Sequence, residues 1–247
     1  SYLEELGLFY NEIQSELIKN NIDIAVHSLK DVPVACTQEL SLVAIPERIC
    51  AQDLLYHPEG LSINDLPSGA IIGTCSLRRR GQIKNLRKDL IIKDIRGNVQ
   101  TRIEKVYSGE YDAIVLAVAG LIRLGYDVAK YYIFNIDQIT PAPGQGALAV
   151  ETRSNNEVLI EMISKIDNLS IRKAVELERS ILKYVGDGCR MPIGAYASME
   201  NNGLDIIACY INPESGDKIV LRKKNMRGEV DAIAKLIVDK LLNPSDI

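Results

Sequence analysis

Cys189 stands in "GDGCRMPIG" (186–194), a loop of glycines and a proline between a helix-like stretch and a strand-like one. A thiol that only fills a core has no need of so mobile a setting, whereas one that carries a covalently held group does. Protease-type nucleophilic chemistry is not supported, because no histidine and acid stand at a recognisable spacing from it. Arginines form a second chemical feature. "AIIGT" (70–74) ends on Thr74 and is followed by Cys75, Ser76, Arg78, Arg79 and Arg80. Arg96 follows "LIIKDI" (90–95), with Arg102 one turn into the next helix, and Arg123 follows "AIVLAVAG" (113–120). Guanidinium groups clamp carboxylate or phosphate in bidentate fashion. A third feature is "HSLKDVP", which sets Lys30 and Asp31 just beyond the apolar run "IDIAV" (22–26). One carboxylate among cations can accept N–H hydrogen bonds and stabilise positive charge developing on a ligand.

Plainer readings stand beside these. "RRRGQIKNLRK" also fits a solvated helix face or an RNA patch, Asp31 a turn cap before Val32-Pro33, and His27 a satisfied, half-buried imidazole. Of the other cysteines, Cys36 and Cys50 sit in connecting segments and Cys209 reads as a small hydrophobe inside a strand. Cys75 opens the helix of the arginine run, where a helix dipole favours the thiolate.

The elements that must position these groups follow from patterning. Leu6, Ile13, Leu17 and Ile18 predict an opening helix, and "IDIAV" a short buried strand. Across 61–126, apolar strands without polar alternation are each followed by a helix, which predicts a parallel sheet covered on both faces. Asn98 is placed to cap the helix "VQTRIEKVYS" and Gly109 to close it. Ligands in such sheets bind beyond the carboxyl ends of the strands, where helix N-termini favour anions, so the arginines predict a polyanion site. "TPAPGQG" (140–146) marks a break. A long helix is predicted over 169–185. "IGAYASM", "LDIIACYI" and "KIVLRKKN" then read as a meander with turns at "ENNG" and "NPESGD", closed by an amphipathic helix over 229–242. Three units result, two α/β and one small α+β.

The 247 residues are 47% hydrophobic and carry a net charge of −4, so a large core is available and no global basic field draws nucleic acid or membrane. No apolar run approaches the roughly 20 residues of a membrane span, and the acidic, amphipathic opening lacks the order of a signal peptide. Five scattered cysteines and two histidines without CxxC spacing suggest free thiols in a reducing cytoplasm and no metal site.

"HSLKDVP", "GTCSLRRR", "RGNVQTR", "EYDAIVLAVAGLIRLG", "PAPGQGALAVE" and "GCRMPIGAYA" occur here in one order. Together they resemble porphobilinogen deaminase, the hydroxymethylbilane synthase family of heme and tetrapyrrole biosynthesis, across essentially the whole chain. The resemblance implies an α/β fold of three domains. Two are like type II periplasmic binding proteins, over 1–46 plus 147–166 and over 52–140; a small C-terminal α+β domain with a three-stranded sheet spans 169–247. The two larger units are crossed near 47–51 and 141–146. It also implies a transferase that adds four porphobilinogen units stepwise, each losing ammonia, to a dipyrromethane cofactor tied to Cys189 by a thioether, before hydrolysis frees the product. Lys30, Arg78, Arg79, Arg96, Arg102 and Arg123 match the positions that clamp pyrrole carboxylates, with Thr74 and Ser76 as hydrogen-bond partners and Gly120 in the same site. Asp31 matches the catalytic aspartate. Arg80 and Arg87 have no match and read as surface residues.

The match begins some way into the family's first domain. An opening Arg-Gly-Ser segment that supplies a strand and part of the site has no counterpart, and "LEELGLF" replaces the usual lead into "GLF", so this polypeptide alone is expected to lack a central strand and some substrate contacts. Asp187 and Arg190 also depart from the commonest pattern. A cytoplasmic monomer is expected. Two other classes are weighed: a non-catalytic two-lobed receptor for carboxylates explains the arginines but gives Asp31 and Cys189 no work. An RNA-binding protein is disfavoured by acidic charge and by the lack of aromatics among the arginines.

Overall fold

The computed structural model describes residues 2–35, 37–186 and 191–243, with side chains from Tyr10 onward. The chain opens with α1 (Tyr2–Ile18), β1 (Ala25–Ser28), a 3-10 turn at Leu29–Asp31, and β2 (Leu40–Ala44). It continues through β3 (Asp53–Tyr56), β4 (Ile71–Gly73), α2 (Leu77–Leu86), β5 (Ile91–Lys93) and α3 (Val99–Tyr107). β6 (Ala113–Ala117), α4 (Val118–Arg123) and β7 (Tyr132–Ile133) follow. β8 (Leu148–Arg153), α5 (Glu157–Ser164) and α6 (Leu169–Val185) come next. The chain closes with β9 (Ile193–Glu200), β10 (Gly203–Ile211), β11 (Lys218–Met226) and α7 (Val230–Leu242).

The central sheet has the order β5-β4-β6-β3-β7. β4 pairs parallel with β5 and β6, as expected over 61–126, but β3 and β7, which lie outside that stretch, are antiparallel (β3 to both β6 and β7), so the sheet as a whole is mixed. β3 enters directly from the crossing segment at 47–52 rather than through a crossover helix, and only such a crossover would force it parallel. Both faces are covered. Leu55, Ile72 and Val115 pack with Ile83 of α2, while Leu54, Ile114 and Leu116 pack with Ile103 of α3 and Leu121 of α4. Successive residues alternate between those two cores, so the strands read as unbroken apolar runs.

The first sheet, β1-β8-β2, is antiparallel throughout. Its opening strand lies at 25–28 rather than at 22–26. Ile22 instead packs with Leu17 of α1 and Leu40 of β2, while Ala25 and His27 turn inward along β1. β8 joins this sheet from beyond the central one, so the two are linked by two crossing segments that run side by side. Arg48 bridges Ala147, and Ile49 N donates to Gly146 O at 3.2 Å. A Cβ on Gly146, at φ +90°, would lie 2.8 Å from the Cys50 carbonyl, so only glycine allows this approach.

The third sheet, β11-β10-β9, is the expected meander, with Asn201 and Asn202 at φ 46° and 63° turning its first hairpin. Leu177 and Ile181 of α6 and Ile237 and Leu241 of α7 cover one face. The cap chemistry is as expected: Asn98 Oδ1 accepts from Thr101 N at 2.8 Å and Gly109 has φ +78°. Further differences concern short elements. α4 begins at Val118, inside the stretch expected to remain strand to 120, and β2, β3, β7, β8 and α5 were not anticipated.

Candidate active site

The reversal of β3 shapes the site. Asp53, its first residue, pairs with Ala117 at the end of β6, and so lies where the parallel strands deliver their carboxyl ends. Its carboxylate is fully buried. Arg79 donates to Asp53 Oδ1 from Nη2 at 2.6 Å and Nε at 3.2 Å, and Arg78 Nη1 forms an ion pair with Oδ2 at 2.8 Å. Gln145, from the second crossing, adds a hydrogen bond to Oδ1 at 2.9 Å. Burial alone would raise the Asp53 pKa, but Arg78 and Arg79 overcome it and hold the carboxyl below its usual range. Both guanidiniums are buried, and they also donate to Thr140 O (Arg78, 2.7 Å) and Val115 O (Arg79, 3.0 Å).

Ser76 caps α2, its Oγ accepting from Arg79 N at 3.4 Å, and buried Thr74 accepts from Ser76 N at 3.2 Å. Arg96 is exposed after β5. Arg102 donates to Gly97 O at 2.7 Å, and Arg123 to Gly146 O in the crossing at 2.9 Å. Gly120 lies in α4, and among the described residues nothing beyond its chain neighbours and the nearby helix backbone comes within 4 Å of where a Cβ would sit. Arg80 pairs with Asp94 at 2.5 Å, and Arg87 pairs with Asp89 and donates to the carbonyls of Ile63, Asn64 and Leu66, bracing the fold. Cys75 donates to Ile95 O at 2.9 Å. Cys209 is buried in β10, its thiol pushed up to about 11 by burial. Cys189, Asp187, Arg190 and Cys36 lie outside the described residues.

Lys30 and Asp31 occupy the 3-10 turn after β1. Burial lowers the Lys30 pKa, Arg79 and Arg78 press the same way, and Asp31 and Asp53 oppose them. The turn from the first sheet therefore lies within electrostatic reach of the buried arginine pair of the central sheet. His27 is a satisfied imidazole, as the plain reading expected, but buried rather than half-buried. Its Nε2 lies 3.1 Å from Oε2 of buried Glu151, whose other oxygen accepts from Tyr10 (3.2 Å) and Gln14 (3.0 Å).

Four residues were not anticipated. Asp53 and Gln145 complete the buried knot. Glu178 of α6 accepts from Arg48 (2.6 and 3.2 Å), from Gly144 N (2.7 Å) and from Ala197 N (2.7 Å), tying both crossings to β9. Arg179 reaches the Asp31 turn. In sequence, "ELER" on an amphipathic helix looks like a solvated face, which hides both residues. Among the described residues, no group of three or more His, Cys, Asp or Glu could hold a metal ion, and no helix is long and apolar enough to cross a membrane.

Two sheets joined by paired crossings, with a buried arginine pair where the central strands end, define an α/β protein with cationic side chains at the junction. The chain belongs to the porphobilinogen deaminase family. Residues 1–161 match the model described as "Porphobilinogen deaminase, dipyromethane cofactor binding domain", and residues 172–243 match "Porphobilinogen deaminase, C-terminal domain". A probable porphobilinogen deaminase of Nitrosopumilus maritimus (strain SCM1) is 43% identical over 204 residues, 83% of this chain and 65% of that protein. The porphobilinogen deaminase of Roseiflexus sp. (strain RS-1) is 38% identical over 237 residues, 96% of this chain and 78% of that one. The chain thus spans about two thirds to four fifths of these relatives' lengths. A putative methionine-binding lipoprotein of Bacillus subtilis has 14% identity and a TM-score of 0.42, covering 62% of this chain and 72% of its own.

Proposed function

We propose that this chain carries the porphobilinogen-polymerising activity of a hydroxymethylbilane synthase. Four porphobilinogen molecules are joined in turn, each forming a new carbon–carbon bond and losing one ammonia, and water then releases the linear tetrapyrrole. A dipyrromethane held through Cys189 supplies, when bound, the pyrrole carbon that starts the chain. The single observation that carries this reading is the surplus of cations around Asp53. Two buried guanidiniums share that one buried carboxylate, and the Lys30 ammonium, next to exposed Asp31 on its 3-10 turn, feels the field of all three. Such a site fits a ligand bearing an acetate and a propionate on every ring.

Lys30, Arg78, Arg79, Arg96, Arg102 and Arg123 clamp those carboxylates, Thr74 and Ser76 hydrogen-bond them, and Gly120 leaves room for a ring. Asp31, facing pyrrole N–H groups, stabilises the cation that departing ammonia leaves on porphobilinogen and assists proton movement at the coupling carbon. The three-domain division, with boundaries at 1–46 plus 147–166, 52–140 and 169–247, a monomeric state and a cytoplasmic location belong to the same proposal.

Intact mass and turnover test it together. The holoprotein should exceed its sequence mass by two linked pyrroles, Cys189→Ser should abolish that addition, and ammonia should appear in equal number with porphobilinogen consumed. Asp31→Ala should keep the addition and almost abolish turnover. An unmodified chain that still binds polycarboxylates would leave the receptor reading in its place.

A further inference from the structure

We propose that Arg179 of α6 is a positioning residue for Asp31, an inference that rests on the assignment of Asp31 to catalysis. Arg179 Nη1 donates to Leu29 O at 3.2 Å and to Val32 O at 2.9 Å, and Nη2 donates to Pro33 O at 2.7 Å. One guanidinium thus gathers three carbonyls that bracket Lys30 and Asp31 on both sides. Asp31 itself is exposed, and no hydrogen bond of its carboxylate is among those described. Its aim is set through its backbone.

That backbone is a three-residue 3-10 turn, whose own closure is the Val32 N to Leu29 O bond at 3.2 Å. So short a turn leaves carbonyls that need outside donors. Buried Leu29 and Val32 pin its two ends in the core, and the guanidinium fixes the carbonyl plane between them. Arg suits this role because its planar fork offers several donors in fixed directions, which an ammonium cannot.

The neighbouring residue explains why the clamp sits on α6. Glu178 grips both crossing segments, so consecutive side chains of one helix hold the lobes' connection and the Asp31 turn. α6 ends at Val185, six residues on from Arg179, about 9 Å along the axis. The Asp31 turn and the crossing segments are therefore referenced to the same rigid element.

The test uses the holoenzyme with Arg179→Gln and Arg179→Lys, each alone and combined with Asp31→Glu. Intact mass checks the tethered group and thermal melting checks the fold. Arg179→Gln should lower kcat by about 10- to 100-fold with KM for porphobilinogen within about threefold, since misaimed groups lose transition-state stabilisation and not uniform binding. Arg179→Lys, able to reach one or two carbonyls, should fall between, and it carries the test if the Gln variant fails to fold. In the Asp31→Glu background, where the carboxylate is already displaced, the same change should cost about threefold or less. Equal losses in both backgrounds, or a raised KM at normal kcat, would overturn the proposal and leave Arg179 a structural brace. Wild-type turnover by Asp31→Glu and Asp31→Ala would instead remove Asp31 from the mechanism, and the positioning role with it.

Discussion

Arg79 approaches Asp53 side-on, with Nη2 and Nε both on the same carboxylate oxygen, while Arg78 takes the other oxygen from within the same α2 turn. Adjacent arginines on a helix point away from each other unless a shared partner draws them together. Asp53 supplies that partner, and so presents two guanidiniums to one crevice. Replacing Asp53 by Asn removes the charge and leaves two buried cations facing each other. The expected cost is roughly 3–5 kcal/mol at pH 7, the usual penalty for breaking a buried pair, read by urea denaturation. Its pH dependence has a definite sign. The folded carboxyl titrates below its ordinary value of about 4, so its contribution is complete above that pH and is lost as pH falls towards the folded-state value. The stability gap between wild type and Asp53→Asn should therefore narrow progressively below about pH 4; a gap that stays constant into acid would contradict the pairing.

Lys30 shows the opposite behaviour. Its ammonium loses hydration and meets Arg79 and Arg78, so its pKa is lowered. The penalty on folding is full below that lowered value and fades as pH rises from there through the ordinary value of about 10.4. Lys30→Met should melt at a higher temperature than wild type in the absence of ligand, with the difference shrinking at alkaline pH. The same variant should bind polycarboxylates more weakly. A variant that is destabilised at neutral pH would show that Lys30 already has an anion of its own.

Glu178 concentrates four hydrogen bonds on a fully buried carboxylate, two of them from Arg48, whose guanidinium also stacks 4.7 Å from the Tyr196 ring centre. Glu178→Gln keeps the shape but unpairs Arg48. A loss of roughly 3–5 kcal/mol is expected, and Arg48→Met combined with it should recover part of that loss, because the uncompensated charge is then gone. Chemical denaturation of the two singles and the double measures this. Additive losses would mean that the pair is not coupled.

How far the sequence reveals these arrangements depends on the distance over which each is encoded. α6 was legible from Leu169 to Val185 because its buried face repeats at helical spacing behind the Asn168 cap. The meander was legible from its turn residues, Asn201 and Asn202 among them. "AIVLAVAG" was legible as strand only to Ala117, because a continuous apolar run carries no period to mark the turn into α4 at Val118. Asp53 was missed for a topological reason: its place at the strand ends follows from the reversal of β3, and a four-residue buried strand does not announce its direction. Arg179 and Glu178 are long-range contacts from a helix surface, invisible until α6 is docked on the Asp31 turn. The arginines just beyond β4 and β5 were legible because residue type and strand end are both local, whereas Arg123 lies at the far end of α4, a helical turn and more past β6.

Gly120 offers the cleanest separation of stability from binding. It sits in the interior of α4, where glycine costs roughly 0.5–1 kcal/mol relative to alanine. Among the described residues nothing requires it: its φ lies outside the left-handed range, and apart from its chain neighbours and the nearby backbone of α4 no heavy atom lies within 4 Å of where a Cβ would stand. A residue that the fold would gain by replacing is explained if the open space is needed by a ligand ring. Gly120→Ala should raise the melting temperature and lower kcat/KM, chiefly through KM, and Gly120→Val should lower kcat/KM further as the side chain fills more of that space. If the alanine variant is more stable and turns over porphobilinogen as wild type does, the space beside α4 is not part of the binding site, and the clamp at that end of the crevice reduces to Arg123 and its neighbours.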